Sequence, residues 1–205
     1  MYRRFGKRLL DILLSALGLT VLAIPMLLLA LIVKLDSKGP ALFWQKRVGA
    51  HKETFMMPKF RSMYTDTPSD LPTHLLNDPQ RWITPVGKVY RKLSLDELPQ
   101  ILCILTGRMS IIGPRPALWN QYDLIEERDK YGANDVRPGL TGWAQINGRD
   151  ELEIPVKAKL DGEYVEKMSF LFDCKCFFGT ILTVLRHDGV VEGGTGTMQK
   201  TDDNK

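Results

Sequence analysis

Hydrophobic and polar positions are distributed very unevenly along this chain. Ile12 to Val33 form an uncharged stretch of 22 residues in which only Ser15, Gly18, Thr20 and Pro25 interrupt apolar side chains. As a helix it would measure about 33 Å, enough to cross the hydrocarbon core of a bilayer. Beyond it the pattern becomes that of a folded domain. Leu42 to Val48 and Glu53 to Met63 read as extended runs flanking Gly49-Ala50-His51-Lys52, which predicts a β-hairpin. Thr65 to Trp82, rich in Pro, Asp and Thr, reads as an irregular loop. A helix is expected from Ser94 to Asp96 onward, ending at Gly107, a residue suited to the position after a helix end. A second helix follows Pro116, with Leu118, Tyr122 and Ile125 as its apolar stripe and Glu126, Glu127, Asp129 and Lys130 outside. A Gly-rich turn region from Arg137 to Arg149 leads to a helix around Lys157 to Lys167. Phe170 to Leu185 carries four phenylalanines and is apolar on most sides, which fits either a core or a membrane interface. Gly189 to Lys205 has the polar, Gly/Thr/Asp-rich composition of a disordered tail.

The apolar block has two readings. Pro25 removes a helix hydrogen bond and kinks the axis, and the freed carbonyl needs a local partner, for which Thr20 is the nearby candidate. Arg3, Arg4, Lys7 and Arg8 precede the block, and Lys34, Lys38, Lys46 and Arg47 follow it. With both flanks basic, the positive-inside rule favours both ends on the cytoplasmic side. A helix that enters, bends at Pro25 and returns satisfies that rule, whereas a plain anchor satisfies the length. Physics alone leaves the two level. A cleaved signal peptide fits less well, because the block is long and no Ala-x-Ala site ends it.

Composition narrows the class. With 205 residues, 44% hydrophobic and 25% charged, the chain suits one ordinary folded domain and excludes an intrinsically disordered protein. The single apolar block excludes a polytopic membrane protein. The formal charge of +4 equals the four cations before the block, so it reads as attraction to anionic lipid headgroups and not as a nucleic-acid footprint. Three cysteines form no disulfide framework, and Cys174-Lys175-Cys176 lacks a histidine at metal-ligand spacing, so buried thiols are expected. The organisation expected is a membrane-embedded segment over 1–36, a catalytic domain over 37–188 and a tail over 189–205.

No Walker loop, G-x-G-x-x-G helix start, H-E-x-x-H or Gly-x-Ser-x-Gly occurs. The residues that draw attention are Asp96 and Glu97 in Leu93-Ser94-Leu95-Asp96-Glu97-Leu98-Pro99. Their plain explanation is a capping box from Ser94 to Glu97. Pro99 favours instead a helix starting at Asp96, where no amide donor is required of it. Either start places both carboxylates at the positive end of a helix dipole, which would keep them ionised. Lys59, Arg61, Arg91, Lys92, Arg108, Arg115, Arg137 and Arg149 all lie in short runs dense with Gly and Pro. The flanking prolines of Gly113-Pro114-Arg115-Pro116 preset the backbone around a guanidinium suited to bidentate phosphate binding. Paired carboxylates and preset arginines beside a membrane segment suggest phosphoryl transfer with a divalent metal.

At these residues the chain resembles the bacterial sugar transferase family, in particular its small monotopic (PglC-like) polyprenol-phosphate phosphoglycosyl transferases. The motifs are Phe43-x-Gln45-x-Arg47-x-Gly49, Lys59-Phe60-Arg61-Ser62-Met63, Leu95-Asp96-Glu97-Leu98-Pro99, Met109-Ser110-x-x-Gly113-Pro114-Arg115-Pro116, and Arg137-Pro138-Gly139-x-Thr141-Gly142 with Gln145-x-Asn147-Gly148-Arg149. The fold implied is α+β and mostly helical: a re-entrant, proline-kinked membrane helix plus a small cytosolic α/β catalytic domain with interfacial helices and a β-hairpin. The activity implied is transfer of a sugar-1-phosphate from a UDP-sugar, with N-acetylated amino sugars favoured, to polyprenol (undecaprenyl) phosphate. UMP leaves as a covalent phosphosugar enzyme forms on Asp96, and the product starts a membrane glycoconjugate. The resemblance makes Asp96 the nucleophile and Glu97 a ligand of Mg2+. Arg115, with Pro116 beside it, would hold phosphate, and Lys59, Arg137 and Arg149 would contact phosphate or nucleotide. Asp161 and Asp173 fall at acidic positions of the family.

The resemblance further implies the inner membrane of a bacterium, with the catalytic domain on the cytosolic face. Membrane lipids are partners by the same token, downstream glycosyl transferases and a homodimer are further candidates, and nucleic acid is not expected. Two departures stand out. Ile24 precedes Pro25 where the family commonly has Ser, and Ile154 or its neighbour stands where a tryptophan is often found. They keep open the alternative of a membrane-tethered, non-catalytic assembly module of the same fold.

Overall fold

The computed structural model of the chain describes residues 1–67, 78–148 and 152–186. A π-helical turn, Tyr2–Gly6, runs into the long helix α1, Lys7–Asp36, which continues through Pro25. Thr20 does not serve the carbonyl that Pro25 frees. Its hydroxyl donates back to Ala16 O at 2.9 Å, the usual i−4 acceptor for a helical threonine. By length and composition this helix could cross a membrane. Most of its apolar side chains are exposed, and only Asp11, Ser15 and Val33 are buried.

The two ends of α1 are held by the same body of protein. Near its start, Arg8 donates to the carbonyls of Ile104 (2.6 Å) and Leu105 (2.8 Å), and Asp11 accepts from the Ser110 hydroxyl and the Ile111 amide. Near its end, the Tyr90 hydroxyl donates to Leu29 O, Val33 packs on Phe60 and Tyr90, and Arg61 donates to Ser37 and Pro40.

The expected hairpin is present. β1, Leu42–Val48, pairs antiparallel with β2, Thr54–Phe60, from Leu42 opposite Phe60 to Val48 opposite Thr54. Strand alternation sends Phe55 and Met57 into a core with Cys103, Ile104 and Met109, and leaves Trp44, Lys46 and Met56 exposed. The tip is a 3-10 turn, Ala50–Lys52, in which His51 and Lys52 take positive φ (53° and 61°). Residues 68–77 of the expected loop lie outside the described residues, and its end forms the short helix α2, Pro79–Trp82. α3, Pro85–Lys92, follows, capped by the Thr84 hydroxyl, which accepts from the Gly87 amide.

A 3-10 turn, Leu95–Gln100, leads into α4, Ile101–Thr106. A parallel pair of three-residue strands comes next, β3 (Ser110–Ile112) with β4 (Gly139–Thr141). Neither strand was evident in the sequence, because runs this short carry no alternation to read. Backbone approach here is so close that a Cβ on Gly139 would lie 2.1 Å from Gly113 N, which explains glycine at that position.

α5 spans Tyr122–Asp129 and departs from the expected stripe. Leu124, not Tyr122, is the buried residue, and Leu118 lies outside the helix in an isolated bridge with Arg47. The inward face also carries Arg128, a residue that a hydropathy pattern places outside. α6, Trp143–Ile146, and α7, Ile154–Lys167, complete this side. α8, Phe170–Arg186, settles the choice between core and surface unevenly. Phe172 and Cys176 join the core, whereas Phe170, Leu171, Phe177, Phe178, Ile181 and Leu182 are exposed. Cys103 and Cys176 are buried free thiols, as expected; Cys174 is half-buried. The expected tail, 189–205, lies outside the described residues.

Candidate active site

The dyad sits on the 3-10 turn Leu95–Gln100, which starts from Ser94 in the left-handed region (φ 54°). The capping box does not form. The Ser94 side chain makes no cap hydrogen bond, and the Glu97 carboxylate points to cations instead of the Ser94 amide. The single helix expected here is split into a 3-10 turn and α4, with Pro99 inside the first piece. Proline has no amide to donate and suits this tighter winding. α4 then ends at Gly107 (φ 86°), the glycine expected at that position.

Glu97 is gripped from two elements. Lys59, near the end of β2, places Nζ 3.1 Å from Glu97 Oε1. Arg115 closes a two-pronged contact, Nη2 to Oε1 at 2.5 Å and Nη1 to Oε2 at 3.3 Å. The backbone beside Arg115 is itself anchored, because Pro116 O accepts from Arg47 Nη1 at 2.9 Å, and Arg47 also donates to Gln45. The F-x-Q-x-R spacing of β1 thus supports the position of Arg115.

The two adjacent carboxylates are driven apart electrostatically. Burial pushes the Asp96 carboxyl up to about 6, with Glu97's negative charge adding to the rise and Lys59, Arg91 and Arg115 opposing it. Burial acts on Glu97 in the same direction, yet Arg115 and Lys59 together hold it well below the usual range. Lys59 is itself lowered by burial, with Glu97 opposing. The dipole argument therefore corrects to one carboxylate firmly ionised and one raised to about 6, ionised at neutral pH but protonated in mild acid. Proximity to a helix start is a weaker influence than loss of water. Two neighbours gain weight from the structure. Arg91 acts on Asp96 through its charge, and Gln100 is buried with its side-chain amide nitrogen unpartnered among the described residues. The only sequence signal for Gln100 was its place after Pro99.

Other expected site residues are not brought to the dyad. Asp161 on α7 is 1% exposed and accepts from Arg128 Nε (2.8 Å) and Nη2 (2.6 Å), an internal ion pair joining α5 to α7. Asp173 on α8 is buried, accepting from Tyr164 (2.8 Å), Lys7 (2.6 Å) and Tyr2 (2.5 Å), so it ties α8 to the start of the chain. Asp173 is held by protein donors through both oxygens, whereas Asp161 uses only Oδ2, its buried Oδ1 having no hydrogen-bond partner among the described residues. Arg137 donates from Nε to Gly107 O at 2.9 Å, at the far end of α4 from the dyad. Arg149 lies outside the described residues.

The donor chemistry suits Mg2+, which takes one or two carboxylate oxygens and completes its shell with substrate phosphates and water. Among the described residues no group of three or more His, Cys, Asp or Glu side chains gathers. Glu97 is the natural ligand, with Asp96 beside it, but Arg115 and Lys59 already occupy its oxygens. A divalent ion held there would compete with Arg115 and Lys59 for the Glu97 oxygens.

Comparison with known proteins identifies the family. The bacterial sugar transferase family model matches residues 2–187. The uncharacterized sugar transferase EpsL of Bacillus subtilis is 37% identical over 194 residues, covering 95% of this chain and 94% of that protein. The undecaprenyl-phosphate glucose phosphotransferase of Komagataeibacter xylinus is 44% identical over 188 residues, covering 85% of this chain. The UDP-glucose:undecaprenyl-phosphate glucose-1-phosphate transferase of Escherichia coli is 41% identical over 187 residues, covering 87%. This chain spans only 35% and 40% of those two longer relatives. A match over nearly its whole length, together with the arginine- and lysine-clasped Asp-Glu pair, makes this chain a member of the bacterial sugar transferase family.

Proposed function

We propose that this protein transfers a sugar-1-phosphate from a UDP-sugar to undecaprenyl phosphate by a ping-pong route through Asp96. The observation that carries the reading is the pairing of a buried Asp96, raised to about 6 and so a desolvated carboxylate at neutral pH, with a Glu97 held ionised by Arg115 and Lys59. In the first half-reaction the Asp96 carboxylate attacks the sugar-bearing phosphorus. The bond from that phosphorus to the bridging oxygen breaks, and UMP leaves with the electron pair. In the second, a phosphate oxygen of the lipid attacks the same phosphorus and Asp96 is regenerated as a carboxylate. No general base is needed for an ionised nucleophile.

Arg115 and Lys59 orient the diphosphate and offset its charge as the leaving oxygen gains electrons. The Arg115 fork that grips a carboxylate matches phosphate equally well. Mg2+ held through Glu97 would supply further neutralisation of the diphosphate. Relatives named for glucose, galactose and N-acetylgalactosamine transfer leave the sugar open among UDP-hexoses.

The reading includes α1 as a dip into one leaflet from the cytosolic face. Its support is that Arg8 and Asp11 at one end, and Leu29, Val33 and Ser37 at the other, hold the same domain. A helix crossing the bilayer separates its ends by about 30 Å of hydrocarbon, which one domain on one side does not bridge. The exposed apolar side chains of α8 would lie in the same interface. The decisive experiment incubates wild type and Asp96→Asn with UDP-sugars and no lipid acceptor. UMP release and a phosphosugar mass adduct are expected only in wild type, and an adduct on Asp96→Asn would overturn the mechanism.

A further inference from the structure

We infer a second anion site, built for a phosphate group, in a cleft of about 650 Å³ at the opposite end of the domain from Asp96. Its walls come from the start of α1, the hairpin tip, the end of α4 and the segment before β4. They contribute Arg3, Arg8, Arg108 and Arg137. Two independent rulers separate it from the dyad. Glu53 on its rim is six strand residues from Lys59, about 20 Å. Gly107 in its wall follows the second half of the 3-10 turn and the whole of α4 after the dyad, roughly 15 Å along the chain.

Three of these four arginines are fixed but not neutralised. Arg3 donates to Met168 O and Glu166 O, Arg8 to Ile104 O and Leu105 O, and Arg137 to Gly107 O. Carbonyl acceptors hold a guanidinium in place and leave its charge intact. None of the four arginines has a carboxylate partner among the described residues. The end of a helix as short as α4 offsets at most about half a charge. The three acids that line the cleft offset only part of the charge of its four arginines and Lys7, and two of them lie at its rim. Asp11 is buried on Ser110 and Ile111, Asp135 faces His51 on the exposed rim, and Glu53 is exposed. Lys7 is matched by Asp173.

Three guanidinium groups held by carbonyls, with Arg108 beside them in a cavity of ligand size, suit the three or four oxygens of a phosphate. The source of the phosphate is a lipid headgroup or a soluble ion. Arg3 and Arg8 stand only four to nine residues before the apolar block that begins at Ile12, within reach of headgroups.

The test uses the full chain with Lys59→Gln and Arg115→Gln in the background, so that both cations proposed to hold phosphate at the dyad are removed. In nanodiscs of mixed phosphatidylglycerol and phosphatidylcholine, native mass spectrometry should show retained phosphatidylglycerol. In detergent, inorganic phosphate is titrated calorimetrically. Adding Arg108→Gln and Arg137→Gln should lower occupancy at least five-fold for whichever probe binds, and Arg108→Lys with Arg137→Lys should restore most of it. Lipid retention identifies a headgroup site, and saturable inorganic phosphate a soluble-anion site. Binding of neither probe, or binding by the Gln variant within two-fold of its parent, overturns the inference. The Lys variant guards against a folding defect being read as a lost site.

Discussion

The poised state of Asp96 leads to a quantitative expectation for the rate of phosphosugar-enzyme formation. Attack requires the carboxylate. With the free enzyme's Asp96 at about 6, it is nearly fully ionised at pH 7.5 but only roughly one-tenth ionised at pH 5. Single-turnover UMP release should therefore fall about ten-fold between those values. An aspartate at its ordinary 3.8 would lose less than about a tenth of its rate over the same range. Substitutions move the limb in opposite directions. Lys59→Met removes a cation that lowers Asp96 and should shift the limb upward, whereas Glu97→Gln removes the adjacent negative charge and should shift it downward.

The same imbalance has a consequence for stability. A carboxyl raised in the folded state binds its proton more tightly there than when unfolded. Stability is then greatest below 3.8 and is lost as pH rises towards 6. Above that window the cost is up to about 3 kcal/mol, so Asp96→Asn should be more stable than wild type at pH 7.5 while inactive. A rate that stays flat from pH 7.5 to 5, together with an unshifted melting point in Asp96→Asn, would refute the account of a desolvated nucleophile.

Three further outcomes are expected. Arg115→Lys keeps the charge but loses the two-pronged geometry, and should slow adduct formation at least ten-fold by rapid quench; parity with wild type would remove the need for the fork. Asp161→Leu should lower stability by about 3–5 kcal/mol in denaturant titration by stranding Arg128, and Arg128→Met in the same chain should recover most of it; additive losses would contradict a closed pair. Gly107→Ala forces a side chain into φ +86° with its Cβ 3.1 Å from Arg8 Nη2, and should cost at least about 1 kcal/mol, read as a lower melting point; no change would show that the α4 end relaxes freely.

The hairpin was legible because strand alternation and a turn-forming tip are local properties, and the observed register runs through the expected residues. The dyad and Arg115 were legible for another reason: they lie in short motifs where proline and glycine constrain the backbone. What failed was the prediction of partners. Glu97 looked like the second half of a capping box, but Lys59, 38 residues earlier, and Arg115, 18 residues later, claim its carboxylate. Asp161, Asp173 and Arg137 likewise find partners far along the chain, in Arg128, in Tyr2, Lys7 and Tyr164, and in the Gly107 carbonyl. A charged residue in a motif announces that its charge is used, not by what.

The sequence by itself determined an apolar helix with basic flanks, an α+β domain and the family to which it belongs. Those follow from periodicity, composition and the order of short motifs. Only the tertiary structure decided which of two neighbouring carboxylates takes a proton more readily, because burial and the approach of distant cations set that balance. It also joined both ends of α1 to one domain and turned scattered arginines into a cleft. Such outcomes depend on long-range packing, and one-dimensional spacing holds no record of it.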